Sequence, residues 1–241
     1  MPLPPISTWR LIPPIAAAGA TQMAVDQWLL SQHQQGLQPS ILRFYTWAPA
    51  AISLGYHQRR YPTHWHTLTW QNQPVDLVRR PTGGRAVLHQ GDLTYAVITS
   101  GLSGHRMAIY RQLCEFLIQG WRALGVRLTF GDAGRGYIHN PNCFGIATAA
   151  DLITPEGYKL IGSAQLYRDG CILQHGSMRL QPDLNLFKQV FDERLQLPGK
   201  YLYINETVLL KALADAAEHC FETQLTVQPL SKQEIQAACQ A

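Results

Sequence analysis

Two apolar runs, Val75 to Val78 and Leu93 to Ile98, bracket the segment Arg79-Arg80-Pro81-Thr82-Gly83-Gly84-Arg85-Ala86-Val87-Leu88-His89. What lies between the runs narrows the folds open to the chain. Adjacent glycines let a backbone take positive φ and approach a ligand closely. The flanking arginines offer fixed forks for carboxylate or phosphate oxygens. The pattern predicts a strand, a ligand-gripping turn and a second strand. It is not a P-loop, because the G-x-x-x-x-G-K-[ST] spacing is absent, and no G-x-G-x-x-G opens a helix here. The competing reading is a plain hairpin turn with exposed arginines.

The rest of the chain sets the frame for that turn. With 241 residues, 46% of them hydrophobic and 15% charged, the sequence can build a sizeable core. Twenty Lys and Arg against sixteen Asp and Glu give a net charge of +4. That suits acidic protein partners, and without a Lys/Arg run it argues against nucleic acid as a partner. The five cysteines, Cys114, Cys143, Cys171, Cys220 and Cys239, are odd in number and widely spaced. They read as reduced thiols of a cytoplasmic protein. The proline-rich start lacks the charged and apolar regions of a signal peptide. No run approaches the ~18 apolar residues of a membrane span, so no membrane association is expected.

The element pattern reads as helix, strands, helix, strands, helices. Residues 15 to 33 form the first expected helix, on an apolar stripe of Ala16 to Ala18, Met23, Ala24, Trp28 and Leu29. Strands are expected at Arg43 to Trp47, Ala51 to Tyr56, Val75 to Arg80, Ala86 to His89 and Leu93 to Ile98. A helix over Ala108 to Leu124 should stop at Gly125, ahead of a short strand at Val126 to Phe130. Residues 131 to 145 are rich in Gly and Asn and read as an ordered loop. A meander follows through Asp151 to Ile153, Tyr158 to Gln165 and Cys171 to Met178, with a turn at Arg168-Asp169-Gly170. Helices are expected at 183 to 192, 205 to 223 and 231 to 239. The predicted class is α+β, a mainly antiparallel or mixed sheet with helices packed on it. One domain over residues 1 to 241 is expected, with 182 to 241 as its mostly helical C-terminal part.

Several residues carry possible chemistry. Cys143 lies just before the meander with Arg135 and His139 near it in sequence. A thiolate needs such an electropositive setting, although a cytosolic cysteine is more often a small buried hydrophobe. Lys159 opens a strand whose Gly162, Ser163 and Ala164 leave room beside it for a ligand. An edge-strand lysine is the plainer alternative. His175, on the next strand, reads first as a satisfied strand histidine. His64-Trp65-His66 has no acidic or cysteine partner nearby in sequence, and no metal site is expected.

Taken together, several segments resemble one family. They are Met23-Ala24-Val25-Asp26, Phe44-Tyr45-Thr46-Trp47, Ser53-Leu54-Gly55-Tyr56-His57-Gln58, Arg79 to His89, Asn142-Cys143-Phe144, Lys159 to Gln165 and Leu173 to Ser177. In that order, over about residues 20 to 180, they resemble the biotin/lipoate ligase superfamily in its lipoate–protein ligase and octanoyltransferase branch. ATP-dependent ligases of that branch usually carry a third glycine where this chain has Arg85, and typically an accessory domain for which 241 residues leave little room. They also lack the cysteine. The sequence is therefore more similar to the cysteine-dependent octanoyltransferases.

The resemblance implies transfer of an octanoyl group from octanoyl-acyl carrier protein to a lysine of a lipoyl domain or glycine-cleavage H protein. No cofactor is implied beyond the donor's phosphopantetheine. Cys143 is implied as nucleophile and Lys159 as active-site lysine. Arg79, Thr82, Gly83, Gly84, Arg85 and His89 on the turn, with Gly162, Ser163, Ala164, Gln165 and His175 on the strands, are implied to bind substrate. Three rivals stay open: an ATP-dependent lipoate or octanoate ligase, an octanoyl amidotransferase between lipoyl proteins, and a non-catalytic acyl- or carrier-protein-binding module.

Overall fold

A computed structural model describes residues 7–131, 150–193, 195, 197 and 204–241. Strand β1 (Ser7–Ala17) leads into helix α1 (Gly19–Gln34), β2 (Ile41–Trp47) and β3 (Ala51–Leu54). A 3₁₀ turn at Thr63–His66 and the hairpin β4 (Thr69–Trp70) and β5 (Gln73–Pro74) precede β6 (Asp76–Arg79), β7 (Val87–His89) and β8 (Asp92–Ser100). Next come α2 (Arg106–Ala123), β9 (Thr129–Phe130), β10 (Leu152–Ile153), β11 (Lys159–Arg168) and β12 (Cys171–Arg179). The described chain ends with α3 (Leu184–Phe191), α4 (Glu206–Cys220), β13 (Thr223–Val227) and α5 (Lys232–Gln240).

The large sheet has eight strands in the order β13-β1-β2-β8-β12-β11-β10-β9. Only β13-β1 and β1-β2 run parallel; the other pairs are antiparallel. Period-two alternation sorts its side chains between two helical layers. Leu42 and Phe44 of β2, with Tyr95 and Val97 of β8, pack with Leu113, Phe116 and Leu117 of α2 and Leu209 and Leu213 of α4. Ile41 and Tyr45, with Ala96 and Ile98, join Met23, Val25, Leu29 and Leu30 of α1 and Ala238 of α5.

A three-stranded sheet, β6-β3-β7, has its own core with α3, built from Ile52, Leu54, Trp65, Leu186, Phe187, Val190 and Phe191. Trp65 of the sequence His64-Trp65-His66 is an anchor there. Its indole N–H donates to the Val190 carbonyl at 2.8 Å.

Local signals explain most of the boundaries. In α2 the buried residues Ile109, Leu113, Phe116, Leu117 and Trp121 recur at helical spacing. The His105 ring caps the Ala108 N–H, and Gly125 follows the last turn with φ +79°.

The expected first helix begins later than its alanines indicate, because Ala16 and Ala17 belong to β1. This strand is hidden in the sequence by Pro13 and Pro14. Its pairing with β2 shifts register between Ile12 and Ile15, and β13 pairs only with Ser7 to Leu11. The prolines thus sit at the irregularity and beyond the second ladder, where a missing N–H costs least. The tail is not all helix either, since β13 extends the sheet by pairing with β1.

Candidate active site

Between the α1 face of the large sheet and the small sheet lies a narrow slot. Met23, Tyr45, Trp47, Ser53, Arg80, Gly84, Val87, His89, Thr94, Gly162, Ser163, Ala164, His175, Gly176 and Ser177 line it. Gly176 sits where the sheet is tightly packed: a Cβ there would meet Ser163 Oγ at 2.4 Å and Tyr95 Cε1 at 2.7 Å.

Many of the lining residues are polar, yet their polar atoms are tied to one another. The Trp47 indole N–H donates to Thr94 Oγ1 at 2.8 Å, and Thr94 donates to Asp92 Oδ2 at 3.2 Å. Ser177 donates to the same carboxylate oxygen at 2.6 Å, and His89 Nδ1 lies 2.8 Å from it. Burial pushes His89 below its ordinary pKa, against the pull of Asp92. A neutral ring beside a carboxylate carries its proton on Nδ1, so Nε2 accepts from the Ser53 hydroxyl at 2.8 Å.

Asp26 forms a second hub. Its Oδ1 takes Arg43 Nη1 at 2.5 Å, and its Oδ2 takes Tyr45 O–H at 2.8 Å and His175 Nδ1 at 3.0 Å. Burial alone raises the Asp26 carboxyl, but Arg43, His175 and Tyr45 outweigh it and hold it below the usual carboxylate value. Burial and the Asp26 charge push the Tyr45 phenol well above its ordinary value, so it remains a donor. Polar groups satisfied in this way turn mainly carbon toward the slot.

The Gly-Gly turn is not a hairpin. Strands β6 and β7 both pair with β3, one parallel and one antiparallel, so residues 80 to 86 cross the end of β3. The crossing is tight: a Cβ on Gly55 would lie 1.9 Å from the Gly84 carbonyl oxygen. Gly84 itself has φ +97°. The arginine forks grip backbone carbonyls. Arg80 donates to Ser53 O at 2.8 Å, Gly83 O at 2.8 Å and Arg85 O at 2.7 Å. Arg79 donates to Gly55 O at 2.7 Å and Gln58 O at 2.8 Å. The expected anion grip is thus, at Arg79 and Arg80, a buckle holding the turn against residues 53 to 58.

Arg80 also lines a second, open groove, so it stands at the neck between slot and groove. Thr82 faces the groove and meets His175 Nε2 of the slot at 2.6 Å.

The sequence-predicted residues therefore separate. Gly84, His89, Gly162, Ser163, Ala164 and His175 line the slot, whereas Arg79, Thr82, Gly83 and Gln165 line the groove. Arg85 lines neither. Lys159 is buried, with Nζ 2.9 Å from Asp151 Oδ1, three residues before the slot-lining Gly162. Cys143 and the loop expected at 131 to 145 lie outside the described residues, apart from Gly131.

Among the described cysteines, burial pushes Cys114 up to about 12, Cys220 up to about 11, and Cys171 upward. Cys239 is exposed on α5. No helix among the described residues is long and apolar enough to cross a membrane.

Sequence reasoning assigned no role to Asp26, Arg43, Tyr45, Trp47, Ser53, Thr94 or Ser177. The signal for Asp26 is its place three residues from both Met23 and Leu29, on the apolar face of α1. For Arg43 it is alternation, which puts it on the same side of β2 as Ile41 and Tyr45.

Sheet order, helical layers and slot define a domain of the lipoate–protein ligase fold. A putative lipoate protein ligase of T. acidophilum with bound lipoic acid superposes with a TM-score of 0.80 at 22% identity, covering 97% of this chain and 93% of that one. The chain belongs to the lipoyl protein ligase A/B catalytic domain family, whose model matches residues 18–201. It is 35% identical over 236 residues to octanoyltransferase LipM of Bacillus subtilis, covering 89% of this chain and 84% of that protein. It is 34% identical over 223 residues to octanoyltransferase LipM of Lysinibacillus sphaericus, covering 84% and 80%.

Proposed function

We propose that this chain is an octanoyltransferase that moves an octanoyl group from octanoyl-acyl carrier protein, through a thioester on Cys143, to a lysine of a lipoyl domain or glycine-cleavage H protein. The observation that carries this reading is the slot: a narrow space whose polar walls are tied off internally, beside the lysine strand, in a chain similar to octanoyltransferases. At ~0.8 kcal/mol per buried methylene, an eight-carbon chain held there contributes several kcal/mol of binding.

The chemistry needs no ATP. Attack of the Cys143 thiolate on the donor thioester expels the carrier thiolate and forms a second thioester, a near-thermoneutral exchange. Attack of the acceptor amine then forms an amide, frees the Cys143 thiol and runs downhill. Splitting the transfer in this way gives ping-pong kinetics. A free thiol with a pKa of about 8.5 is only a few per cent thiolate at pH 7, so a cation beside it matters. Lys159 is the candidate for that cation and for stabilising the tetrahedral oxyanion. The shifted-up Cys114 and Cys220 are unsuited to the nucleophile's role. Octanoyl transfer to a purified lipoyl domain, assayed with octanoyl-acyl carrier protein and without ATP, tests the reading. Turnover that requires ATP and free octanoate favours a ligase instead. The free thiols of the described cysteines suit action in the cytoplasm.

A further inference from the structure

Beside the slot, with Arg80 lining both, runs the second groove. Among the described residues, none that lines the groove is a carboxylate. Arg79, Arg80, Arg106, Arg168 and His57 line it. Arg79 and Arg80 spend donors on backbone carbonyls, although their charges remain.

Arg106 and Arg168 differ from them. Both are exposed, one opening α2 and the other ending β11. Among the described residues neither forms an ion pair with a carboxylate, and Arg106 lies 5.9 Å from the Tyr167 ring. Two guanidinium groups on one groove wall, one opening a helix and the other ending a strand, suit a phosphate group carried by an acidic surface.

We infer that this groove is the docking face for the acyl donor, in which Arg106 and Arg168 receive the phosphodiester of the donor's arm and the acidic protein that bears it. The inference rests on the reading of the chain as an octanoyltransferase. It adds a location, two residues outside the turn, and a half-reaction. An arm lying along the groove delivers its acyl end past Arg80 and Thr82 into the slot. Charged residues at the mouth act on encounter, so their effect belongs to donor capture and weakens with salt.

The test is the double variant R106E/R168E. Transfer to a lipoyl domain is measured with octanoyl-acyl carrier protein and with octanoyl-pantetheine, which lacks both phosphate and protein. Binding of holo-acyl carrier protein is measured separately by titration. The ratio of kcat/KM between the two donors is expected to fall about tenfold or more in the variant, with holo-carrier binding weakened by a similar factor. In the wild type the ratio falls with added salt, and the variant flattens that dependence. An unmoved ratio with unchanged carrier binding overturns the inference, as does a loss confined to KM for the lipoyl domain. The two readings fail separately. Carrier binding that the variant weakens, with no acceptor acylated, sinks the transferase reading and leaves the docking face. Efficient transfer with an unmoved ratio does the reverse.

Discussion

Trp47 stacks on His89 with ring centroids 3.9 Å apart and an interplanar angle of 18°. Its indole is fixed further by Thr94. Among the described residues Trp47 alone lines both the slot and a neighbouring cavity walled by Gln90, Asp92, Leu180 and Glu206. The stacked pair therefore stands between the two spaces. Trp47→Ala joins the two spaces, and the ratio of kcat/KM for dodecanoyl over octanoyl donors is expected to rise by about tenfold or more. Steady-state rates with the two donors check this; an unchanged ratio places the chain's end elsewhere.

Lys159 and Asp151 are both buried and 2.9 Å apart. Lys159→Ala removes the candidate oxyanion and thiolate partner. Both half-reactions are expected to slow by roughly 10²- to 10⁴-fold. Single-turnover acylation and deacylation, followed separately by quenched mass spectrometry, measure this. Near-wild-type rates in both steps remove Lys159 from the mechanism.

Asp26 sits at 0% exposure among Arg43, Tyr45 and His175. Asp26→Asn leaves the Arg43 charge buried without its counter-ion, which is expected to cost about 3–5 kcal/mol. Urea unfolding at neutral pH reads the loss. Because the folded Asp26 pKa is lowered, the charged form is the one folding favours. The hub's stabilisation is complete above the unfolded carboxylate value and fades as the pH falls through the folded one. The variant's stability should therefore converge with the wild type's in acid.

Much of the slot was legible in the chain, and its limits have physical causes. The turn from Arg79 to His89 and the small-residue run Gly162 to Ala164 announced themselves by composition, and the structure brings Gly84, His89 and all three small residues to one space. Direction was not legible. Nothing local tells whether a guanidinium beside a glycine turn grips a ligand or its own backbone, and Arg80 takes the Ser53 and Gly83 carbonyls. Long-range pairing was equally hidden. β1 carries two prolines, and its partner β13 begins at Thr223, so each looks weak until the other is beside it. Asp26 and Arg43 read as ordinary surface charges unless the periodicity of their elements is followed onto the buried face.

The C-terminal helix is held by a longer-range contact of its own. Arg10 of β1 grips Glu234 with Nη1 to Oε1 at 2.6 Å and Nη2 to Oε2 at 3.0 Å. Glu234 also completes a capping box with Ser231. The Arg10 hydrogen bonds, the strongest cause, and Ser231 bring its pKa down from 4.5 to about 2. A lowered carboxylate stabilises the fold above its unfolded value and stops doing so as pH falls through its folded value. Glu234→Gln is expected to lower stability near neutrality by about 1 kcal/mol, since the glutamate is only half-buried. It should also flatten the acid loss of Tm between pH 4.5 and about 2. Thermal melts across that range check both; parallel profiles for the two proteins contradict it.

The central claim is the covalent step, and intact mass reads it directly. The wild-type protein is mixed with octanoyl-acyl carrier protein without acceptor, quenched in acid and weighed. One added octanoyl group, released by neutral hydroxylamine and absent from Cys143→Ala, is the predicted result. An unmodified wild-type mass under conditions where product still forms on the acceptor, or an adduct that persists in Cys143→Ala, contradicts it.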